Sequence, residues 1–150
     1  MTPRVRPVDR SDASGWLAMR LALWPGGSRA EHAEDIDEFF AGRAREPLAV
    51  LIAEDEAGRS IGFAELSIRP QAEGCRTDRV AYLEGWFVAP EARRRGIGTA
   101  LIRAAEAWAR ARGCKELASD TASDDAAGAG AHEGVGFVHA ATVRCYRKDL

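Results

Sequence analysis

The chain has 150 residues, 46% of them hydrophobic, and a formal net charge of −2 at pH 7. That length fits one domain with a real core, and no stretch approaches the ~20 apolar residues of a membrane span. Its three cysteines, Cys75, Cys114 and Cys145, lack Cys-x-x-Cys spacing, which argues against a disulfide framework and a zinc site and fits a reducing cytoplasm.

The first residues, Met-Thr-Pro-Arg-Val-Arg, lead into no apolar run, so no secretory leader is expected. Residues 5–8 read as a first strand. Ser11 or Asp12 is placed to cap a helix to about residue 23, with Trp16, Leu17, Arg20 and Leu21 at helical spacing. Trp24-Pro25-Gly26-Gly27 breaks it. Ser28 and Glu31 form a capping-box pattern for a second helix to about residue 42, whose Glu34, Asp37 and Glu38 read as a solvated face. Residues 48–55 and 60–69 read as strands joined by a hairpin turn at residues 56–59. A polar loop at 70–78 precedes a strand at 80–88. The next helix, about 96–112, buries Ile97, Leu101, Ala104, Ala105, Trp108 and Ala109, and Gly113 ends it. A short strand at 116–119, a loop with a weak helix, and a last strand at 138–147 complete the chain. Strands, then helix, then strands, without regular βαβ alternation, predict an α/β (α+β) mixed sheet with helices on both faces.

Charge is unevenly spread. Arginines cluster over 93–112, whereas acids cluster over 31–56 and at Asp120, Asp124 and Asp125. The basic part suits a polyphosphate, and the acidic parts suit a cationic co-substrate. The sharpest signal is Arg93-Arg94-Arg95-Gly96-Ile97-Gly98-Thr99, between a strand and a helix. Glycines let the backbone approach a ligand, and a helix N-terminus offers unpaired N–H groups and a positive dipole end. This is a pyrophosphate cradle in form. It is neither Gly-x-Gly-x-x-Gly nor a Gly-Lys-Ser/Thr loop. The arginines lack interleaved aromatics, so nucleic acid is not the expected partner.

The loop resembles the Arg/Gln-x-x-Gly-x-Gly/Ala signature of the GNAT superfamily of N-acetyltransferases. The resemblance implies a GNAT fold with a mostly antiparallel sheet of six or seven strands, spanning residues 1–150 as one domain. It implies acetyl-CoA as co-substrate, held by residues 93–99, and no metal. It also implies a bulge in the strand at 80–88 and backbone oxyanion donors near Phe87 and Val88.

Acetyl transfer from a thioester to an amine needs a deprotonated nucleophile close to the carbonyl, donors for the oxyanion and protonation of the leaving thiolate. Glu84, in Tyr82-Leu83-Glu84-Gly85-Trp86-Phe87-Val88, is the candidate to orient and deprotonate the amine. Its neighbours would raise its pKa unless it is paired, and Gly85 marks a bulge or a close approach. The alternative is a surface-facing strand residue. Asp120, at a strand exit, reads as an anion for a polycationic amine or as a turn or cap residue. Trp24 reads as an exposed apolar wall for a sugar or as closure of the helix pair. Trp16 and Trp108 read as core, and Trp86 could face either way. His132 lies five residues before Phe137, where the resemblance places a tyrosine acid near the thiol. Histidine there could donate a proton, or simply hydrogen-bond to backbone.

Leu-Trp-Pro-Gly, Phe-Ala-Glu-Leu-Ser-Ile-Arg, Tyr-Leu-Glu-Gly-Trp-Phe-Val and Leu-Ala-Ser-Asp-Thr, in that order, resemble aminoglycoside 6′-N-acetyltransferases. The resemblance implies a cytoplasmic homodimer that binds a polycationic aminosugar, with Trp24, Glu84 and Asp120 at substrate-side positions. The chain departs from it at Ala72, where an aromatic is usual, and at Val138 and His139, where acids are usual. Acetylation of another polyamine or aminosugar, and an acyl-CoA-binding regulatory module without turnover, are the alternative readings.

Overall fold

The computed structural model describes residues 3–150. The elements are β1 (Arg4–Pro7), α1 (Ala13–Leu23), α2 (Arg29–Phe40), β2 (Ala49–Glu54), β3 (Ser60–Arg69), β4 (Val80–Val88), α3 (Ile97–Ala111), β5 (Leu117–Ser119) and α4 (Ala126–Gly134). The sheet runs β1-β2-β3-β4-β5, antiparallel except that β5 lies parallel to β4.

Alternation along β2 sends side chains into two cores. Val50 and Ile52 meet Trp16, Met19 and Ile36 on the α1–α2 side, while Leu51 and Ala53 meet α3 on the other. α3 buries Ile97, Leu101, Ala105 and Ala109 as its period requires, and also Ile102, which the expected stripe omitted. Trp16 is fully buried, whereas Trp108 is only partly so.

Two sequence expectations are corrected. Asp12 stands at the N-cap position of α1 but makes no cap hydrogen bond there: its carboxylate is held by Arg6 at 2.7 and 2.9 Å, and Asp9, accepting from the Ser11 N–H, caps the short turn Arg10–Asp12 that leads into the helix. The sheet has five strands among the described residues, not six or seven, because 138–147 forms no strand. All side chains from 138 to 150 are exposed, and no backbone hydrogen bond reaches them among the described residues. Apolar alternation makes a strand only where a partner strand and a surface to cover are present; within one chain this segment finds no strand partner and stays exposed, though Ala140 lies against Gly74.

One polar cluster sits in the core. Glu65, 2% exposed, accepts from the Trp16 indole N–H at 2.9 Å and from Arg20 Nε at 2.8 Å and Nη2 at 3.2 Å. Arg20 also reaches Asp35 at 3.0 Å and the ring of His32 at 3.3 Å. Burial pushes the Glu65 carboxyl above its ordinary value, against the pull of Arg20. The cluster fixes α1 and α2 onto β3.

Candidate active site

The site is organised by β4. Glu65 pairs with Gly85 but Leu66 pairs with Leu83, so Glu84 is the extra residue of a bulge. This is the bulge expected of that strand. A Cβ on Gly85 would lie 2.6 Å from Trp24 Cη2, so the absent side chain lets the indole lie against the strand. Trp24 is half-buried, with Arg20 5.1 Å above its ring and His32 stacked at 6.2 Å. It closes the α1–α2 pair and leaves part of its ring at the bulge. Gly85→Ala is expected to lower stability by about 1–3 kcal/mol, the usual cost of overpacking, and to shift the tryptophan fluorescence. Urea titration followed by emission measures both.

Glu84 is paired, which sequence reasoning left open. Arg69 donates to Oε1 from Nε (3.1 Å) and Nη2 (2.8 Å), and to Oε2 from Nη2 (2.8 Å). A carboxylate has about four acceptor positions, so Oε2 keeps the spare one. Burial pushes the Glu84 carboxyl up, opposed by Arg69. Arg69 also lies 3.6 Å over the Tyr82 ring, and the Tyr82 hydroxyl donates to Asp120. Burial and the Asp120 carboxylate push the Tyr82 phenol up, so it stays a donor. Glu84, Arg69, Tyr82 and Asp120 thus form one connected acidic wall with an internal cation. Sequence reasoning missed Arg69 and Tyr82 as site residues. The signal was available: in an antiparallel β3–β4 pair, Arg69 is carried to the start of β4, two turns of pleat from Glu84.

The basic loop forms the other half. Gly96 has φ +79°, a left-handed conformation suited to glycine, and Arg94 takes φ +63° without that excuse. Gly96 caps α3 with no side-chain hydrogen bond, so the first N–H groups of the helix, at Ile97, Gly98 and Thr99, point out without a cap. Ile97 is buried and anchors the turn. Arg93 spends its Nε on the Val88 carbonyl at 2.9 Å, tying the loop to the end of β4, while Arg94 and Arg95 remain exposed. Trp86 faces α3: its indole N–H donates to the Gly98 carbonyl at 3.2 Å.

β5 pairs with β4 only from Ala81 to Leu83. Beyond that point the strands part, which leaves the outer edge of β4 through Phe87 and Val88 without a strand partner. His132 of α4 stands beside this fork, 5.4 Å from the Trp86 ring and 5.2 Å from Phe137. Its Nδ1 is 2.7 Å from the Gly128 carbonyl and its Nε2 2.8 Å from Ser119 Oγ. Glu84, Phe87 and Val88 thus lie on β4 and residues 93–99 on the loop after it and the start of α3, with Trp24 against Gly85, Asp120 under the Tyr82 hydroxyl and His132 beside the fork. No group of three or more His, Cys, Asp or Glu among the described residues is arranged to hold a metal ion.

A parted pair of strands, uncapped helix N–H groups behind a basic glycine loop, and a carboxylate on a bulge define the class of acyl-CoA-dependent N-acetyltransferases. Residues 16–137 match the acetyltransferase (GNAT) family model. The chain belongs to the GNAT acetyltransferase family. It is 54% identical over 149 residues to an aminoglycoside N(6′)-acetyltransferase type 1 of Klebsiella aerogenes, covering 99% of this chain and 98% of that one. A Stenotrophomonas maltophilia protein of the same name is 35% identical, with 99% and 94% covered. The structure of AAC(6′)-Iy in complex with the bisubstrate analogue CoA-S-monomethyl-acetylneamine superposes with a TM-score of 0.91 at 34% identity, covering all of both chains.

Proposed function

We propose that this protein transfers the acetyl group of acetyl-CoA to the 6′-amino group of an aminoglycoside. The observation that carries the reading is the Glu84 bulge, with a spare carboxylate lone pair on Oε2, set in an acidic wall that ends at Asp120. The extensive likeness to 6′-acetyltransferases supports the same assignment.

The steps follow from the residues. Residues 96–99, with Arg94 and Arg95, take the pyrophosphate at the positive end of α3. The aminosugar lies between Trp24 and the acidic wall, and its ammonium is oriented by Glu84 and Asp120. Glu84 Oε2 takes the proton, directly or through water, and the free amine attacks the thioester carbonyl. Backbone N–H groups at the open edge of β4 meet the oxyanion. His132 is the acid for the departing thiolate, in the place where a tyrosine is usual. The test is thiol release with 6′-amino aminoglycosides and their 6′-hydroxyl analogues. Turnover with the amines alone is expected. Equal turnover of both would overturn the regiochemistry, and coenzyme binding without release for any amine would favour the regulatory module.

The working unit is read as a cytoplasmic homodimer. Three free cysteines fit a reducing compartment. A groove of about 470 Å³ runs between α3 and the outer edge of β5, lined in part by Ile102, Ala109, Leu117 and Phe137. Residues 138–150 display Val138 (87% exposed), Val143 (56%) and Tyr146 (87%) without a surface to cover. The alternation that failed within one chain fits a strand laid along β5 of a second copy, which would complete the sheet and fill the groove. A chain ending at Phe137 is expected to run as a monomer in light scattering. A dimer of unchanged mass would remove this arrangement.

A further inference from the structure

His132 does not present a bare nitrogen to the fork. Nδ1 faces the Gly128 carbonyl, which only accepts, so Nδ1 carries hydrogen in both protonation states. Nε2 is therefore the nitrogen that gains and loses a proton, and it points at Ser119 Oγ at 2.8 Å. Ser119 Oγ lies also 3.3 Å from the Leu83 carbonyl, a long and weak bond. With neutral His132, the hydroxyl donates to Nε2. With the imidazolium, Nε2–H donates to Oγ and the hydroxyl hydrogen turns to Leu83. Neither state strands a polar group. Ser119 is the last β5 residue paired with β4, opposite Leu83, at the point where the strands part.

Resting on the assignment of His132 as acid, we propose that Ser119 is the group that delivers the proton. As the new C–N bond forms and the C–S bond breaks, the Ser119 hydroxyl proton passes to the thiolate sulfur. The Nε2 proton of the imidazolium passes to Ser119 Oγ. The products are thiol, neutral His132 and an intact hydroxyl. Starting from the ammonium, the amine gives up two protons: the first passes through Glu84 to water before attack, and the second goes to Glu84 as the tetrahedral adduct collapses to the amide; both residues then re-equilibrate with water. The ring is packed by Trp86 from β4 and Phe137 behind it. The charged groups around it are Asp125 at the cap of α4, whose carboxyl feels the His132 charge, Glu133 next to it on α4, and Asp120 one residue beyond Ser119.

The test compares Ser119→Ala, Ser119→Thr, His132→Gln and the Ala/Gln double variant by single-turnover thiol release, with a kanamycin-like amine. Ser119→Ala and His132→Gln are each expected to lose on the order of 10²-fold, the double variant no more, and Ser119→Thr to keep its rate. The wild-type proton inventory in H₂O/D₂O mixtures is expected to curve, because the relay alone moves two protons. Wild-type rate in Ser119→Ala beside an impaired His132→Gln overturns the relay and leaves the His132 assignment standing. Wild-type rate in His132→Gln overturns both. Should Ser119→Ala fail to fold, a linear inventory in the wild-type enzyme overturns the relay by itself.

Discussion

Replacing Arg20 with methionine is expected to lower stability by about 3–5 kcal/mol at neutral pH, the usual cost of leaving a buried charge without its partner. Arg20 supplies two of the three hydrogen bonds to Glu65, and both side chains are nearly inaccessible, at 8% and 2%. Without the guanidinium, the carboxyl of Glu65, already raised by burial, rises further. A carboxyl whose folded-state pKa exceeds its unfolded value favours the folded state at low pH and loses that advantage as pH rises through the folded value. The deficit of Arg20→Met should therefore shrink as pH is lowered from 8 toward 5, so urea midpoints of the variant and wild type should converge. Adding Glu65→Gln should restore most of the loss, because neutral replacements for a buried pair are often tolerated. A pH-independent deficit would mean that Arg20 acts by packing over Trp16 and Trp24 and not by charge.

Glu84→Gln is expected to lower kcat by on the order of 10²- to 10⁴-fold, the usual contribution of a positioned base, with a smaller change in KM for the amine. Glutamine keeps the shape and one acceptor, so the ammonium is still met, but it cannot take the proton. The sign of the pH effect follows from the raised carboxyl of Glu84. As pH falls through that raised value, the base is protonated and kcat/KM drops on the acid side. In Glu84→Gln that limb should vanish. Persistence of the limb would transfer the base role to another group. Because Glu84→Gln also leaves Arg69 with a poorer partner, thermal unfolding of the variant separates lost chemistry from a loosened β3–β4 pair. Retained Tm with lost turnover is the expected pattern.

Some of this was legible in the chain. The glycines and arginines before α3 announce a basic turn and a helix start without a side-chain cap, since backbone conformation and helix polarity are local properties. Gly85 inside an apolar strand marked a bulge or a close approach, and the family resemblance placed a bulge in that strand. Pairing across the sheet is where local reasoning stopped. Glu65 looked like one more polar residue in a strand, and only the arrival of α1 with Arg20 makes it a buried anchor. Arg69 ended the expected strand 60–69 with no stated partner, and the register of β3 against β4 sets it on Glu84. Ser119 meets His132 only because α4 lies beside β5.

What the sequence by itself determined is the order of the elements up to α4, most of the buried face of α3 and the basic glycine turn before it, because these depend on residues within a few positions of one another. What only the tertiary structure decided is which charges meet, which nitrogen of His132 faces Ser119, and that residues 138–147 find no strand within their own chain. Those outcomes depend on contacts between segments far apart in sequence, where a few ångströms of register choose the partner.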